Sequence, residues 1–189
     1  MRLIAFLFLV VICIGCNQKP KLNFQFADLT QNISCTSTND ALLNEALHSF
    51  EQDIFVKYDS VKKLHRTAYA RFITRGILGS EDYNALASVH SLEIRDALLE
   101  AGILITNGTK SNLNYTHPDV QCIINNMKDT ALKTTINALI ETNSMDPTLF
   151  DSRLRNIGSS IANKPYQATY IALDAYYQNL VNITLDTNE

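Results

Sequence analysis

The chain has 189 residues, of which 46% are hydrophobic and 19% are charged, and it contains no tryptophan. Sixteen Lys and Arg against nineteen Asp and Glu give a formal net charge of −3. This mild charge excludes the strongly basic composition of a nucleic-acid binder and provides no acidic tail. The length is enough for one domain with a sizeable hydrophobic core, so we expect a single domain.

The first fifteen residues have the composition of an export signal. Arg2 supplies a positive charge, residues 3–14 are an unbroken apolar run, and Gly15 and Cys16 precede a polar stretch. A charged start, about 7–15 apolar residues and small residues at the end define a secretory signal peptide. Twelve helical residues cover about 18 Å, less than the roughly 30 Å of a bilayer core. We therefore predict a cleaved signal over residues 1–15 and no retained transmembrane anchor.

Residues Cys13-Ile14-Gly15-Cys16 resemble the signal motif of bacterial lipoproteins, in which Cys13 would occupy a position where Leu is most common. This resemblance covers residues 1–16 alone. It implies cleavage before Cys16 and a diacylglyceryl thioether on its sulfur, with acyl chains such as palmitate. Each buried methylene contributes about 0.8 kcal/mol to membrane binding. We expect a lipid-anchored protein of the bacterial cell envelope, with its domain in the periplasm or on the cell surface. The alternative is plain secretion.

Residues 17–38 are rich in Asn, Gln, Ser and Thr, which predicts a flexible tether. With the lipid attachment that the resemblance implies at Cys16, residues 16–38 would form the attachment site and tether before a domain at residues 39–189. After the signal, Cys35 and Cys122 are the only cysteines besides Cys16. Two thiols in an oxidising compartment can pair, and closing a loop of this size contributes roughly 4–5 kcal/mol on the chain-entropy estimate. A Cys35–Cys122 disulfide is one interpretation, and two unrelated small side chains are the other.

Apolar residues at helical spacing predict helices over residues 41–58, 60–78 and 81–101. Gly79 and Gly102 follow the second and third of these, where a left-handed cap is needed. The stripe of the second helix is expected to face the core: Val61, Leu64, Ala68 and Phe72.

Residues 103–116 interrupt the helical pattern. Asn107-Gly108 is a strong turn signal between alternating residues, which predicts a small β-hairpin or a long ordered loop. Helices are predicted again after Pro118, Asp129, Pro147 and Pro165. The whole pattern indicates an all-α bundle of six or seven amphipathic helices.

Two histidines are candidates for a chemical site. His90 lies within an apolar stripe, where a buried imidazole needs hydrogen-bond partners. One interpretation of His90 is a ligand or a general base in a pocket, and the other is a histidine of the hydrophobic core. We favour the second. Glu45-x-x-His48 has the spacing of di-metal helical bundles, but no second such pair occurs. We interpret Glu45 and His48 as a solvated surface pair and expect no metal site or cofactor.

Charge is unevenly distributed along the middle of the chain. Residues 57–75 carry a net charge of +5 and residues 81–100 carry −4. The simplest interpretation is a pair of neighbouring helices that attract each other. A basic surface for phosphate-bearing lipids or for an acidic partner is the alternative.

The sequence contains no nucleophile elbow, no zinc-protease helix, no phosphate-binding loop and no paired Cys-x-x-Cys. We therefore predict a non-enzymatic lipoprotein whose helical domain binds a partner, such as another envelope protein, through residues 103–117 or the basic helix. No nucleic acid is expected as a partner. The alternative is an envelope enzyme or small-molecule receptor with a site between helices near His90.

Overall fold

The structure, a computed structural model, describes residues 22–106, 111–145, 161 and 163–184. These residues form seven helices and no strand, which confirms the predicted all-α fold. The first six helices are α1 (Asp40–Tyr58), α2 (His65–Ile77), α3 (Tyr83–Leu86), α4 (Val89–Glu100), α5 (Pro118–Asn125) and α6 (Thr130–Glu141). Helix α7 comprises Pro165–Ile171, a π-helical segment Ala172–Tyr177 and Gln178–Leu180. Within this part of the chain, every helix is too short or too polar to cross a membrane.

Helix α1 lies at the centre of the bundle, where it packs against α2, α3, α4 and α7. Its Phe50 ring lies 5.0 Å from the Phe72 ring of α2 and 5.2 Å from the Tyr176 ring of α7, measured between centroids. Tilted and edge-to-face pairs of this kind contribute about 0.5–1.5 kcal/mol beyond the burial of their area. The tyrosines of α7 therefore belong to the core, and Tyr177 is fully buried with them.

Several helix ends follow from local sequence. Gly79 and Gly102 have φ values of 61° and 75°, the left-handed conformation that their positions after helices predict. Pro118 and Pro165 occupy the first turns of α5 and α7. The Asp129 side chain caps α6 by accepting a hydrogen bond from the backbone of its first turn. The helix predicted after Pro147 lies outside the described residues, except for Ile161.

Helix α2 begins later than the predicted residue 60. The Asp59 carboxylate accepts hydrogen bonds from the backbone N–H groups of Lys62 (3.4 Å) and Leu64 (3.0 Å). Residues 59–64 therefore form a turn, and α2 begins at His65. Val61 and Leu64, which the helical pattern places in the core, are instead 89% and 50% exposed.

The helix predicted over residues 81–101 is divided into α3 and α4, with the break at Ala87 and Ser88. Ser88 caps α4, because its side chain accepts a hydrogen bond from Ser91 N (3.2 Å). Its own backbone N–H donates to Asp53 of α1 (3.2 Å). The break therefore depends on a carboxylate 35 residues away in sequence, which a local pattern does not reveal.

The segment predicted as a hairpin contains one antiparallel bridge, between Leu104 and Leu113, and no strand among its described residues. Its Asn107-Gly108 turn lies outside the described residues. The segment is held on α7, where Gln178 Oε1 accepts hydrogen bonds from Ser111 Oγ (2.5 Å) and Asn112 N (3.2 Å). Leu104 and Leu113 are buried, so this segment is part of the packed domain.

Residues 22–38, which we call the strap, lie against the domain. The buried Asn44 side chain accepts hydrogen bonds from the backbone N–H groups of Asn32 (2.7 Å) and Ile33 (3.0 Å), and it donates to Ile33 O (2.8 Å). Ile33 is only 2% exposed. A buried amide and an apolar anchor therefore hold the described part of the predicted tether against the domain.

A disulfide joins the strap to α5. The structure pairs Cys35 with Cys122, whose Cα atoms are 5.8 Å apart and which are 87 residues apart in sequence. On the chain-entropy estimate a crosslink of this span stabilises the folded state by roughly 4–5 kcal/mol. The strap is thus held both by hydrogen bonds to α1 and by a covalent bond to α5.

Asp174 is a buried carboxyl group in the π-helical segment of α7. The hydroxyl of Tyr115 donates a hydrogen bond to its Oδ1, which links residues 111–115 to α7. Burial raises the pKa of Asp174 to about 6, although the hydrogen bond from Tyr115 lowers it. Because the pKa in the unfolded chain is near 3.8, the folded protein binds more protons between these two values.

We expect the Asp174→Asn variant to gain stability relative to the wild type as the pH rises. The Asp174 contribution is fully present below about pH 4 and is lost as the pH rises through about 6, in total about 3 kcal/mol. Urea unfolding of both proteins at pH 4 and pH 7 measures this difference, and the other titrating groups cancel. An equal difference in unfolding free energy at both pH values would contradict the assignment.

Candidate binding cleft

Three parts of the chain surround a cleft of about 450 Å³: the strap, helix α1 and the corner between α3 and α4. Its walls are apolar where Phe26, Val56 and Leu86 line them, and polar where α1 contributes Asp53 and Lys57. The remaining lining residues are Gln25, Ser49, Gln52, Ala85, Ala87, Ser88 and His90. A mainly apolar concavity with a few convergent polar groups is the usual form of a ligand site.

Helix α1 carries three buried polar side chains on one side: Glu45, Ser49 and Asp53. Their spacing of four residues places them in line along the helix. Helix α4 faces this line with His90 and Ser91, which are also buried. The polar line lies beside the apolar stripe of α1, so the cleft borders the hydrophobic core.

Asp53 is the most heavily hydrogen-bonded group in the cleft. Its Oδ2 accepts hydrogen bonds from Ser88 N (3.2 Å), Ser88 Oγ (3.2 Å), Ser91 Oγ (2.6 Å) and Tyr176 OH (2.5 Å). Burial raises the pKa of Tyr176 well above its ordinary value, and the charge of Asp53 raises it further. Asp53 lines the cleft, and no described residue donates a hydrogen bond to its Oδ1.

Glu45 joins the strap, α1 and α4 at one point, which we call the latch. Its Oε1 lies 2.7 Å from His90 Nε2 and accepts a hydrogen bond from Gln25 N (2.5 Å). Its Oε2 accepts one from Phe26 N (3.0 Å). His90 Nδ1 lies 3.4 Å from the half-exposed Glu93 carboxylate. A carboxylate that is 2% exposed is thereby supplied with the donors that its burial requires.

The hydroxyl groups of Ser49 and Ser91 form a hydrogen-bonded chain that ends at Asp53. Ser49 Oγ lies 2.7 Å from Ser91 Oγ, and Ser91 in turn donates to Asp53. In the described part of the chain, neither serine is hydrogen-bonded to His90, whose Nε2 is occupied by Glu45. A Ser–His pair within hydrogen-bond reach, which activates a serine nucleophile, is therefore not formed among these residues.

The structure brings some of the sequence-predicted residues together. His90 is buried and hydrogen-bonded, as expected of a core histidine. It also lines the cleft, as expected of a group in a pocket. Cys35 and Cys122 are joined to each other. Cys16 lies outside the described residues.

The interpretation of Glu45 and His48 as a solvated pair is wrong for Glu45, which is buried in the latch. Its burial is possible because His90 and the strap backbone offset the desolvation cost of the carboxylate. His48 Nε2 lies 3.2 Å from Thr30 O of the strap. Within the described ranges, no group of three or more His, Cys, Asp and Glu residues has the geometry of a metal site.

The oppositely charged segments meet at one ion pair, between Arg75 Nε and Glu81 Oε2 at 3.5 Å. Tyr58 OH also donates to this buried carboxylate, and burial raises the pKa of Tyr58. Helices α2 and α4 both pack against α1. The basic residues that precede Arg75 are mostly exposed, so charge attraction between the two helices explains only part of this pattern.

The sequence analysis missed Asp53 and the role of Glu45. The signal was present as the four-residue spacing of Glu45, Ser49 and Asp53 beside the apolar stripe of the same helix. Compared with known protein families, with curated proteins and with solved structures, the chain gives no match. The candidate site is therefore defined by its geometry alone.

We expect Glu45→Gln to loosen the strap, because the amide replaces one of the two acceptor oxygens of the latch and removes its charge. The loss of charged hydrogen bonds should cost about 2 kcal/mol of unfolding free energy. Hydrogen exchange at Gln25 and Phe26 should become faster, and urea unfolding should measure the loss of stability.

Glu93→Gln is the matched control for the latch, because Glu93 is also near His90 but is half-exposed. We expect it to change the unfolding free energy by less than about 0.5 kcal/mol and to leave exchange in the strap unchanged. Equal exchange rates in the two variants would show that Glu45 does not hold the strap.

Proposed function

We propose that this protein is a lipid-anchored, non-enzymatic lipoprotein of the bacterial cell envelope, and that its helical domain binds a partner through the cleft between the strap, α1 and the α3–α4 corner. The observation that carries the binding site is Asp53, which has one oxygen fixed by four donors and no described donor to the other. The anchor is supported by the export signal and the lipoprotein-like motif that ends at Cys16.

The chemistry of the cleft defines the group that it would accept. Asp53 Oδ1 can accept a hydrogen bond, while Phe26, Val56 and Leu86 offer apolar surface beside it. Lys57, four residues after Asp53 on α1, adds a positive charge to the same cleft. These features fit a hydroxyl group attached to an apolar body, on a side chain of a protein partner. The fixed carboxylate lowers the ordering cost of binding.

The short connection to the anchor brings this cleft close to the membrane. Gln25, whose backbone N–H donates to Glu45, lies nine positions after Cys16 in the sequence. A fully extended chain of that length spans at most about 30 Å. A lipid on Cys16 would therefore keep the cleft within about 30 Å of the bilayer surface.

A small-molecule receptor in the same cleft is the second candidate. It is favoured by His90, which lines the cleft and has Glu45 within hydrogen-bond reach at 2.7 Å. An enzyme that uses His90 as a base would need this ring nitrogen released from Glu45. The receptor requires no such rearrangement, so it is the stronger form of this alternative.

Metabolic labelling with an alkyne fatty acid tests the anchor. We expect label on the wild-type protein and none on the Cys16→Ser variant, because the thioether requires the sulfur. Cys35→Ser serves as the control cysteine and should keep its label. Equal labelling of the wild type and Cys16→Ser would refute lipidation at this position.

Blocking the cleft tests the binding site. Ala85 is exposed and lines the cleft, so Ala85→Trp should fill part of it without disturbing the core. We expect crosslinked capture from the native envelope to recover a specific partner with the wild type, and Ala85→Trp to reduce that recovery by about tenfold, a loss near 1.4 kcal/mol.

Ala131→Trp places the same side chain at an exposed position of α6, away from the cleft residues. This control variant should recover the partner as the wild type does. A partner that binds both tryptophan variants equally uses another surface, and the cleft would then be excluded as its binding site.

A further inference from the structure

We propose that residues 56–66, the end of α1 and its turn into α2, dock onto the anionic surface of the lipid bilayer. This surface, which we call the basic turn, presents two aliphatic side chains at its tip, Val61 and Leu64. Val61 is the more exposed of the two, and Val56 nearby is also exposed. A single apolar residue on a surface is common and needs no explanation. Here three exposed apolar residues lie within nine positions, among cations that form no ion pair in the described part of the chain. Together they form an amphipathic patch.

The charge of the basic turn complements a bilayer that contains anionic lipid. Lys57, Lys62, Lys63 and Arg66 are exposed, and none of them forms an ion pair with a carboxylate in the described part of the chain. Asp59 is the one acidic residue between them, and its two oxygens are used by the backbone of the turn. Basic residues next to a membrane each strengthen binding to anionic lipid about fivefold.

The basic turn has a defined shape before it meets a membrane. Besides the two hydrogen bonds to the Asp59 side chain, Lys63 N donates to Asp59 O (2.9 Å) and Thr67 N donates to Leu64 O (3.0 Å). Lys63 has a φ of 50°, which reverses the chain direction at the tip. Docking would therefore require little additional ordering of the backbone.

The position of the strap supports a bilayer as the occupant. Gln25 of the strap and Lys57 at the base of the turn line the same cleft, so the chain that leads to Cys16 begins beside the basic turn. This step rests on the proposed anchor, which would hold the turn within reach of the lipid surface. An anchored domain meets that surface at high effective concentration, so weak docking is sufficient. The turn would then orient the cleft relative to the membrane.

Tryptophan fluorescence tests the docking, because the natural chain contains no tryptophan. The full mature protein carrying Val61→Trp would be reconstituted into vesicles of phosphatidylglycerol and dibrominated phosphatidylcholine. We expect a blue-shifted emission and quenching by the brominated acyl chains, since the indole would lie in the interfacial region. Val89→Trp is the matched control, because Val89 is a 64% exposed valine at the start of α4.

The control should keep the emission of a water-exposed indole. Identical emission and quenching for the two variants would overturn the proposal. A blue shift of Val61→Trp that appears only after envelope proteins are added would also overturn it, because the occupant would then be a protein.

Charge reversal tests the lipid specificity. Lys62→Glu in the Val61→Trp background should reduce the ratio of docked to undocked protein at least about fivefold in vesicles with phosphatidylglycerol. Lys128→Glu, an equal charge change at an exposed residue between α5 and α6, should have no effect. Quenching that is insensitive to both Lys62→Glu and phosphatidylglycerol would overturn docking to an anionic surface.

Mass spectrometry of the same preparations separates this proposal from the proposed anchor. An acylated protein with an unquenched Trp at position 61 would support the anchor and refute the docking. An unacylated protein whose indole is still quenched would refute the anchor and support the docking.

Discussion

The arrangement of the domain depends on satisfying the buried polar side of α1. Glu45, Ser49 and Asp53 lie next to the hydrophobic core, where an unpaired carboxylate would cost several kcal/mol. Their partners come from several parts of the chain: Glu45 has partners in the strap and α4, Ser49 in α4, and Asp53 in the α3–α4 corner, α4 and α7. Because these partners are far apart in sequence, the hydrogen bonds to one helix position four other segments: the strap, the α3–α4 corner, α4 and α7. The cleft lies where these segments meet.

The same constraint explains why the cleft suits a ligand that donates a hydrogen bond. The donors to Asp53 converge on Oδ2, which fixes the carboxylate, and no described residue donates to Oδ1. A fixed acceptor beside apolar walls binds with less loss of side-chain entropy than a mobile one on the surface. His90 Nε2, in contrast, is already in contact with Glu45, and this contact helps to hold the strap.

Local chemistry predicted much of the helical framework and little of the site. The ends at Gly79 and Gly102 and the beginning at Pro165 could be predicted, because backbone conformation and the missing proline donor act within a few residues. The break at Ser88 could not, because it depends on Asp53, 35 residues earlier. The polar composition of the strap predicts a tether. It does not reveal that the backbone of the strap is hydrogen-bonded to Asn44 or that Ile33 is buried. Periodicity identifies the apolar side of α1, whereas the neighbours of its polar side follow only from the fold.

With the proposed lipid on Cys16, the strap would connect the anchor mechanically to the rest of the molecule. A flexible tether would let the domain rotate freely at the membrane, whereas a strap held by Glu45, Asn44 and the Cys35–Cys122 disulfide transmits the position of the chain to both α1 and α5. Only residues 17–21 would then lie between the lipid and the described domain. With so short a connection, one additional contact with the bilayer is enough to restrict the orientation of the domain. The basic turn would be suited to provide it, because its cations form no ion pair with any described carboxylate and it extends from the same helix that holds the strap.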